Sequence, residues 1–380
     1  MEFQLSSVQT ALQDSVRRFC RERYDLRSRT TVLPTSDSFS RSHWSLFADL
    51  GWLGIGLDSD VNGSEGGAVE LCIVLEEFGR SLVVEPYWTC VAVAAQLVNS
   101  CGTSQQRRQL LIPLIDGKLI IAFAHSEGYE HSHVGHVETR ATLNGNGDHV
   151  ITGRKSLVVG GPSANKFIVS ARTSSSSNGG DGTSLFVVDD GADGLVRRDY
   201  RLLDGSSACD LEMSDVHVGP DALLGRKDCG RAGIDFAMDR AMVGLCAEAV
   251  GIMDSVLWMT RDHLRTRRQF GAPLSTFQAL QHRMAEMFAE VELSRSMLFR
   301  ALRLLSESND AVRHSGVLAA YIRVCQGGAF VCRSGVQLHG AMGVVEEHMI
   351  GQYFKRLTVI SKLFGTIDQQ LDQLSAVASG

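Results

Sequence analysis

The stretch RRQFGAPLSTFQALQHRMAEM, residues 267–287, decides the reading of this chain. It opens on Arg267-Arg268-Gln269-Phe270-Gly271 and reaches Phe277-Gln278 before a helical pattern resumes. An arginine near a helix C-terminus followed by glycine can present a planar, permanently charged guanidinium to a pyrophosphate. Gln278, at the start of the next helix, can read a base edge. The same residues also suit a plain solvated helix end, because cations are favoured at the negative pole of the helix dipole. From the residues alone the solvated helix end is the better reading.

The chain around this stretch falls into three zones. Residues 1–118 read as helices: Leu5, Val8, Leu12, Val16 and Phe19 recur at helical spacing, and Val69–Gly79 resumes the pattern after a glycine-punctuated run. Residues 119–225 read as a small antiparallel β-domain or barrel. Its expected strands are Leu119–Ala124, His149–Ile151, Lys166–Ala171, Ser184–Val188 and Cys209–Val218. The Ser/Gly/Asn-rich run Thr173–Thr183 reads as a loop joining two of them. Residues 226–380 return to helix, with Phe277–Arg303 carrying a broad apolar stripe and Val312–Leu338 rich in Ala, Val and Gly. Helices, strands, then helices is an α+β organisation, and no GxGxxG follows an expected strand.

Composition narrows the classes further. The 380 residues are 44% hydrophobic, enough for a large core, and the net charge of −6 argues against a dedicated nucleic-acid binder. Nine cysteines lack any CxxC or zinc-like spacing, which fits free thiols in a cytoplasmic protein and predicts no metal site. No run approaches the roughly 18 consecutive apolar residues of a membrane span, and the N-terminus lacks a signal-peptide core.

The Arg-x-x-Phe-Gly then Phe-Gln spacing resembles that of the flavin-dependent acyl-CoA dehydrogenases. Gln337-Leu338-His339-Gly340-Ala341-Met342-Gly343 is similar to that family's Gln-x-x-Gly-Gly-x-Gly turn. Ala122-Phe123-Ala124-His125-Ser126-Glu127 resembles the Thr-Glu passage into its β-domain, and Ile151-Thr152-Gly153-Arg154-Lys155 the strand and turn that follow. The resemblance implies a helical domain, a β-domain and a four-helix bundle, with FAD shared across a subunit interface. It assigns Arg267, Phe270, Gln278, Gln337, Leu338, Gly340 and Gly343 to the adenosine diphosphate end of FAD, with Ser126 and Thr366 as further contacts. His339 reads as a packing residue.

The family's chemistry needs a carboxylate to take the α-proton of a thioester while flavin N5 accepts the β-hydride. The resemblance places that base just before Gly365-Thr366, where Phe364 stands, or on the first long bundle helix, where Ala241 stands. Neither accepts a proton. Asp239 is the alternative candidate; its other reading is a surface acid near a helix start. Glu248 reads as half of a structural ion pair. On the flavin side, Leu157-Val158-Val159 replace the family's Trp-Ile-Thr or Ser, and His131-Ser132-His133 replace its Gly-Ser-Asp.

What serves a neighbour's FAD is kept, and what serves the chain's own flavin and substrate is eroded. The expectation is a non-catalytic subunit of a heteromeric, α2β2 acyl-CoA dehydrogenase, most like the small subunit of pimeloyl-CoA dehydrogenase-type enzymes. Its implied partners are a homologous catalytic subunit, an acyl-CoA substrate and an electron-transfer flavoprotein. Two rivals remain: a self-sufficient dehydrogenase using Asp239, and an acyl-CoA-binding scaffold without redox chemistry.

Overall fold

The computed structural model describes residues 4–35, 38–64, 66–128, 137–174 and 182–378. Their contacts form two compact units. One comprises Met1–Thr31, Ala68–Val83 and Met242–Gly380; the other comprises Val32–Gly67 and Val84–Ala241. The helical first zone is therefore divided between them.

The helical unit holds α1 (Ser7–Arg23), and α2 (Leu26–Val32) lies at its edge. The capping box expected of a Ser-x-x-Gln start forms at α1, where Ser6 and Gln9 satisfy each other's backbone N–H groups. Only the second half of its apolar stripe is buried: Val16, Phe19 and Cys20 face inward, whereas Val8 is 75% exposed. In the other unit lies α3 (Arg41–Asp49), and α4 (Ala68–Ser81) returns to the helical unit. Then α5 (Gln96–Cys101) and α6 (Ser104–Ile115) belong to the second unit, preceded by a π-helical stretch, Trp88–Ala95.

The β-domain follows: β1 (Ile121–Ala124), β2 (Arg140–Leu143), β3 (His149–Val159), β4 (Lys166–Arg172), β5 (Thr183–Asp189), β6 (Leu195–Arg201), β7 (Ser207–Val218) and β8 (Leu223–Leu224). They form one sheet in the order β6-β7-β3-β2-β4-β5-β8, with β1 also on β4. The expectation of a purely antiparallel domain is corrected here: β1 runs parallel to β4, and Arg140 of β2 pairs in parallel with Arg172. Strands β2 and β6 lie outside the segments expected from sequence. At the sheet edge, β6 carries Arg197, Arg198, Asp199 and Arg201, and so lacks an apolar signature.

The helical unit resumes within α7 (Gly230–Thr266), whose residues 230–241 group with the β-domain. After it come a hairpin of β9 (Arg268–Gln269) and β10 (Ala272–Pro273), then α8 (Gln278–Leu304), α9 (Asp310–His339), α10 (Met349–Ile360) and α11 (Ile367–Ala378). Helices α4 and α7 touch backbone to backbone. A Cβ on Gly79 would overlap the Glu248 carbonyl, and one on Gly251 would overlap that of Glu76. Charged groups flank this contact: Arg17 and Arg80 pair with Glu77, Arg80 also with Asp254, and Arg295 with Glu76 at 2.8 Å.

The α7 helix and the run Asp310–Val344 are long and apolar enough by composition to cross a bilayer. However, 78% and 67% of their most apolar windows are buried within the protein, as core helices require.

Candidate functional site

The helical unit exposes two adjoining pieces of backbone that can cradle an anion. In the first, α7 ends and the chain turns sharply. Arg267 N donates to His263 O at 2.9 Å, and Phe270 and Gly271 both adopt positive φ, 52° and 80°. Two successive left-handed residues make the tight hairpin turn joining β9 and β10. The turn holds Phe270 at 87% exposure, edge-on to Phe277 with ring centroids 6.2 Å apart. Arg267 is exposed, and its guanidinium forms no hydrogen bond or ion pair among the described residues. Gln278, exposed at the first position of α8, stands at the positive pole of that helix.

The second piece is the turn that ends α9. Gln337 is exposed, Leu338 is half-buried, and Gly340 has φ 60° and ψ −137°, a conformation suited to glycine. Gly343 is buried, and a Cβ there would overlap the Val336 carbonyl.

Histidines join the two pieces. The His263 ring, in the last turn of α7, stacks on that of His339, the last residue of α9, with centroids 4.4 Å apart. His348, which precedes α10, lies 5.1 Å from His339 on centroids. His339 is 5% exposed, and its Nδ1 donates to Gly335 O at 2.8 Å. Its Nε2 is buried without a hydrogen bond among the described residues. Burial, reinforced by His263 and His348, pushes the His339 imidazole down to about 4, although the Gly335 carbonyl works the other way. Burial and then His348 and Arg267 lower His263 as well. The packing reading of His339 thus agrees with its burial, but the ring is only partly satisfied.

At both positions where the resemblance puts a base, the structure holds apolar groups. Phe364 is 8% exposed and packs edge-on against Tyr321, with centroids 5.4 Å apart. Tyr321 is itself fully buried and donates its hydroxyl to Ile360 O. Ala241 is 1% exposed, and its carbonyl accepts from Trp88 Nε1 at 3.1 Å. Asp239 is fully buried, which overturns its surface reading: the helix start at Gly230 lies more than two turns earlier, within the packed end of α7. Glu248 forms the expected ion pair, its two oxygens meeting Arg356 at 2.6 and 2.9 Å. The Thr366 hydroxyl accepts from Gln369 N, and Thr366 N donates to Gln369 Oε1, so this side chain caps α11.

In the β-domain, a buried network invisible in the sequence holds the end of β1. Lys155, fully buried, donates from Nζ to Glu127 Oε1 at 2.6 Å, Ser170 Oγ at 2.9 Å and His125 O at 3.2 Å. Glu127 also accepts from the backbone N–H groups of Glu138 and Thr139. Burial pushes the Lys155 ammonium down to about 8 against the pull of Glu127. Burial works to raise the Glu127 carboxyl, but Lys155 and the N–H donors outweigh it and hold the group below its ordinary range.

Ser126 is half-buried at the exit of β1, and its carbonyl accepts from Ser156 N at 2.8 Å. A bulge in the β3–β7 pairing between Lys155 and Val158 gives Leu157 a φ of 54°. The Leu157 N–H then donates to Asp210 Oδ1 at 3.1 Å and Tyr200 Oη at 3.2 Å, so it is engaged within the domain. His131, Ser132 and His133 lie outside the described residues.

The comparisons with known proteins agree along the chain. The acyl-CoA dehydrogenase N-terminal domain matches residues 6–118, the middle domain 122–216 and the C-terminal domain 232–378. The chain belongs to the acyl-CoA dehydrogenase family.

It is 26% identical over 377 residues to the probable acyl-CoA dehydrogenase YngJ of Bacillus subtilis, covering 97% of both proteins. It is 26% identical to the Caffeyl-CoA reductase-Etf complex subunit CarC of Acetobacterium woodii, covering 88% of this chain and 89% of that one. Among solved structures, a Tcur3481-Tcur3483 steroid ACAD variant matches at TM-score 0.86 and 27% identity, with 98% of each chain covered. The ChsE4-ChsE5 complex of Mycobacterium tuberculosis shares the fold at TM-score 0.89 and 23% identity, covering 100% of this chain and 99% of that one. The α+β architecture is thus that of the family, whose cofactor is FAD.

The residues of the Arg267 hairpin and the Gln337–Gly343 turn fit the anionic end of that cofactor. They offer an unengaged guanidinium and, at Gly340 and Gly271, backbone in positive φ beside open space. The resemblance pointed to the hairpin, the turn and the two positions at which it expects a base, Phe364 and Ala241. It missed the histidine stack and the Lys155 network, because His339, His125 with Glu127, and Lys155 stand in separate motifs and their contacts join residues far apart in sequence.

Proposed function

We propose that this chain is a non-catalytic, FAD-sharing subunit of a heteromeric acyl-CoA dehydrogenase. The observation that carries the reading is that both base positions hold buried apolar groups, Phe364 packed on Tyr321 and Ala241 under Trp88. A phenyl ring and a methyl group cannot take the α-proton, so a homologous partner subunit supplies the carboxylate and holds the isoalloxazine. FAD, when bound, supplies hydride acceptance. Arg267, Phe270, Gln278, Gln337, Leu338, Gly340 and Gly343 serve its adenosine diphosphate end, with a secondary role for Ser126. Thr366 retains its capping role and, with its backbone N–H and carbonyl held by Gln369 and Gln370, would contact FAD through its hydroxyl hydrogen.

The assembly is α2β2, like the small subunit of pimeloyl-CoA dehydrogenase-type enzymes joined to its large one. A relative named as two chains and as a steroid ACAD supports both the two-chain form and a bulky acyl-CoA substrate. Electrons pass to an electron-transfer flavoprotein, in keeping with the Etf-complex subunit among the relatives. The site of action is the cytoplasm.

Co-purification is the test. The chain, co-expressed with its homologous neighbour, should elute as a complex that binds less than one FAD per polypeptide and reduces it with acyl-CoA. A homotetramer of this chain alone, with full FAD and robust dehydrogenation, would overturn the proposal.

A further inference from the structure

Three helix ends of the helical unit meet at His263, His339 and His348, and these are the ends that carry the Arg267 hairpin and the Gln337–Gly343 turn. We infer that this histidine stack is a proton-sensitive joint that keeps the two halves of the ADP cradle in register while its rings are neutral and loosens FAD when they are protonated. The inference rests on the assignment of the cradle to FAD made above.

The geometry supports it step by step. Because Nδ1 of His339 donates to the Gly335 carbonyl, its proton is on that nitrogen, and Nε2 carries the lone pair. Protonation would therefore place a new N–H at a buried position without an acceptor among the described residues. It would also place a cation 4.4 Å from one imidazole and 5.1 Å from another on ring centroids.

Among the described residues, the titratable groups that act on His339 are His263 and His348, and both oppose its charge. On α7 the facing groups are His263 and, beyond it, the Arg267 guanidinium, which acts on His263 with the same sign. On the α10 side the facing group is His348, which acts on both other rings. The acids nearest in sequence are committed or solvated: Asp262 pairs with Arg261, Glu346 with Lys355, and Glu347 is exposed. The ring of His339 is thus held neutral at pH 7, its pKa lowered from 6.5 to about 4.

The direction follows from linkage. An open joint, in which His339 regains its ordinary value, binds more protons than the closed one, so acid favours opening. With 6.5 in the open and about 4 in the closed form, opening rises roughly 20-fold from pH 7 to pH 5. FAD leaving through the open joint should speed by the same factor.

The experiment uses the co-purified complex and follows FAD fluorescence after dilution into pH 7 or pH 5, with circular dichroism to confirm that the protein stays folded. The parent should release FAD roughly 20-fold faster at pH 5. His339→Phe and His263→Phe keep the aromatic stack and delete one titrating ring each, and each is compared with itself at the two pH values. His339→Phe should lose most of the acid acceleration, since that ring's shift alone accounts for the roughly 20-fold, and His263→Phe, which removes a ring opposing protonation of His339, should reduce it. A parent without acceleration overturns the joint, as does a folded His339→Phe or His263→Phe complex with the parent's full acceleration. Arg267→Ala separates the two ideas: if it leaves FAD retention at pH 7 unchanged, the ADP assignment itself fails, whatever the histidines do.

Discussion

Removing either member of the Lys155–Glu127 pair should have unequal consequences, and the structure says which is worse. Lys155 is fully buried, and its ammonium falls from the ordinary 10.5 to about 8. Holding it charged at pH 7 therefore costs about 3 kcal/mol relative to the unfolded chain, even with Glu127 beside it. Lys155→Met removes that cost. It gives up hydrogen bonds to His125 O and Ser170 Oγ, about 1 kcal/mol each, while Glu127 keeps its two backbone donors. The variant should lie within about 1 kcal/mol of the parent.

Glu127→Gln instead leaves the lysine buried without its counter-charge. The lysine can respond by losing its proton, which caps its total cost at about 5 kcal/mol at pH 7, so the added loss is about 1.5 kcal/mol. Weaker acceptance of the Glu138 and Thr139 N–H groups brings the sum to about 2–3 kcal/mol.

The pH dependence is the sharper readout. A lysine with a lowered folded pKa binds fewer protons in the native than in the unfolded state between about 8 and 10.5. Stability therefore rises with pH through that window, by up to about 3 kcal/mol from this group. Thermal or denaturant melts of parent and Lys155→Met from pH 7 to 10.5 give a difference curve in which other titrating groups cancel. That difference should move in favour of the parent as pH rises. A flat or falling difference, or a Lys155→Met loss larger than that of Glu127→Gln, would refute the account.

Other consequences are as direct. Gly79→Ala and Gly251→Ala each drive a methyl into a facing helix carbonyl, so each should destabilise by about 1–3 kcal/mol or more in melts, whereas Gly145→Ala, where a Cβ meets nothing, should not. Glu248→Gln leaves the Arg356 guanidinium, which cannot shed its proton, without a charge partner in a nearly buried site; a loss of about 3 kcal/mol in denaturant melts is expected. Asp239→Asn should leave flavin reduction by acyl-CoA intact in stopped-flow traces of the complex, and its abolition with FAD still bound would favour the relocated-base alternative. Arg267→Ala should lower the FAD content of the purified complex at neutral pH, measured by absorbance, through loss of one charge-assisted contact worth about 1.5–3 kcal/mol.

The parts of this protein legible in its sequence are those with a local physical signature. Helical stripes located α8 and α9 to within two residues, because each must bury one face every 3.6 residues. Most strands with β-branched runs were visible too, although β3 was read as His149–Ile151 and runs to Val159, and β6, a charged edge strand, carried no such signal. The glycines of the Gln337–Gly343 turn and the two positions expected to hold a base were marked by the family resemblance, since a backbone that must approach a phosphate has few alternatives to glycine.

Tertiary structure decided what depends on residues distant in the chain. Sequence spacing left Val8 on the expected apolar stripe of α1, but only packing determined that the first half of that stripe is not covered. The same holds for Asp239, an ordinary acid on paper and a fully buried one in the fold. Lys155 and Glu127 are separated by 28 positions and meet only because β1 and β3 lie in one sheet. His263, His339 and His348 belong to three helix ends, and neither their stacking nor the depressed His339 pKa exists until those ends pack together. Sequence determines which chemical groups are available. Burial and proximity, which set the energy of a charge, are properties of the folded chain.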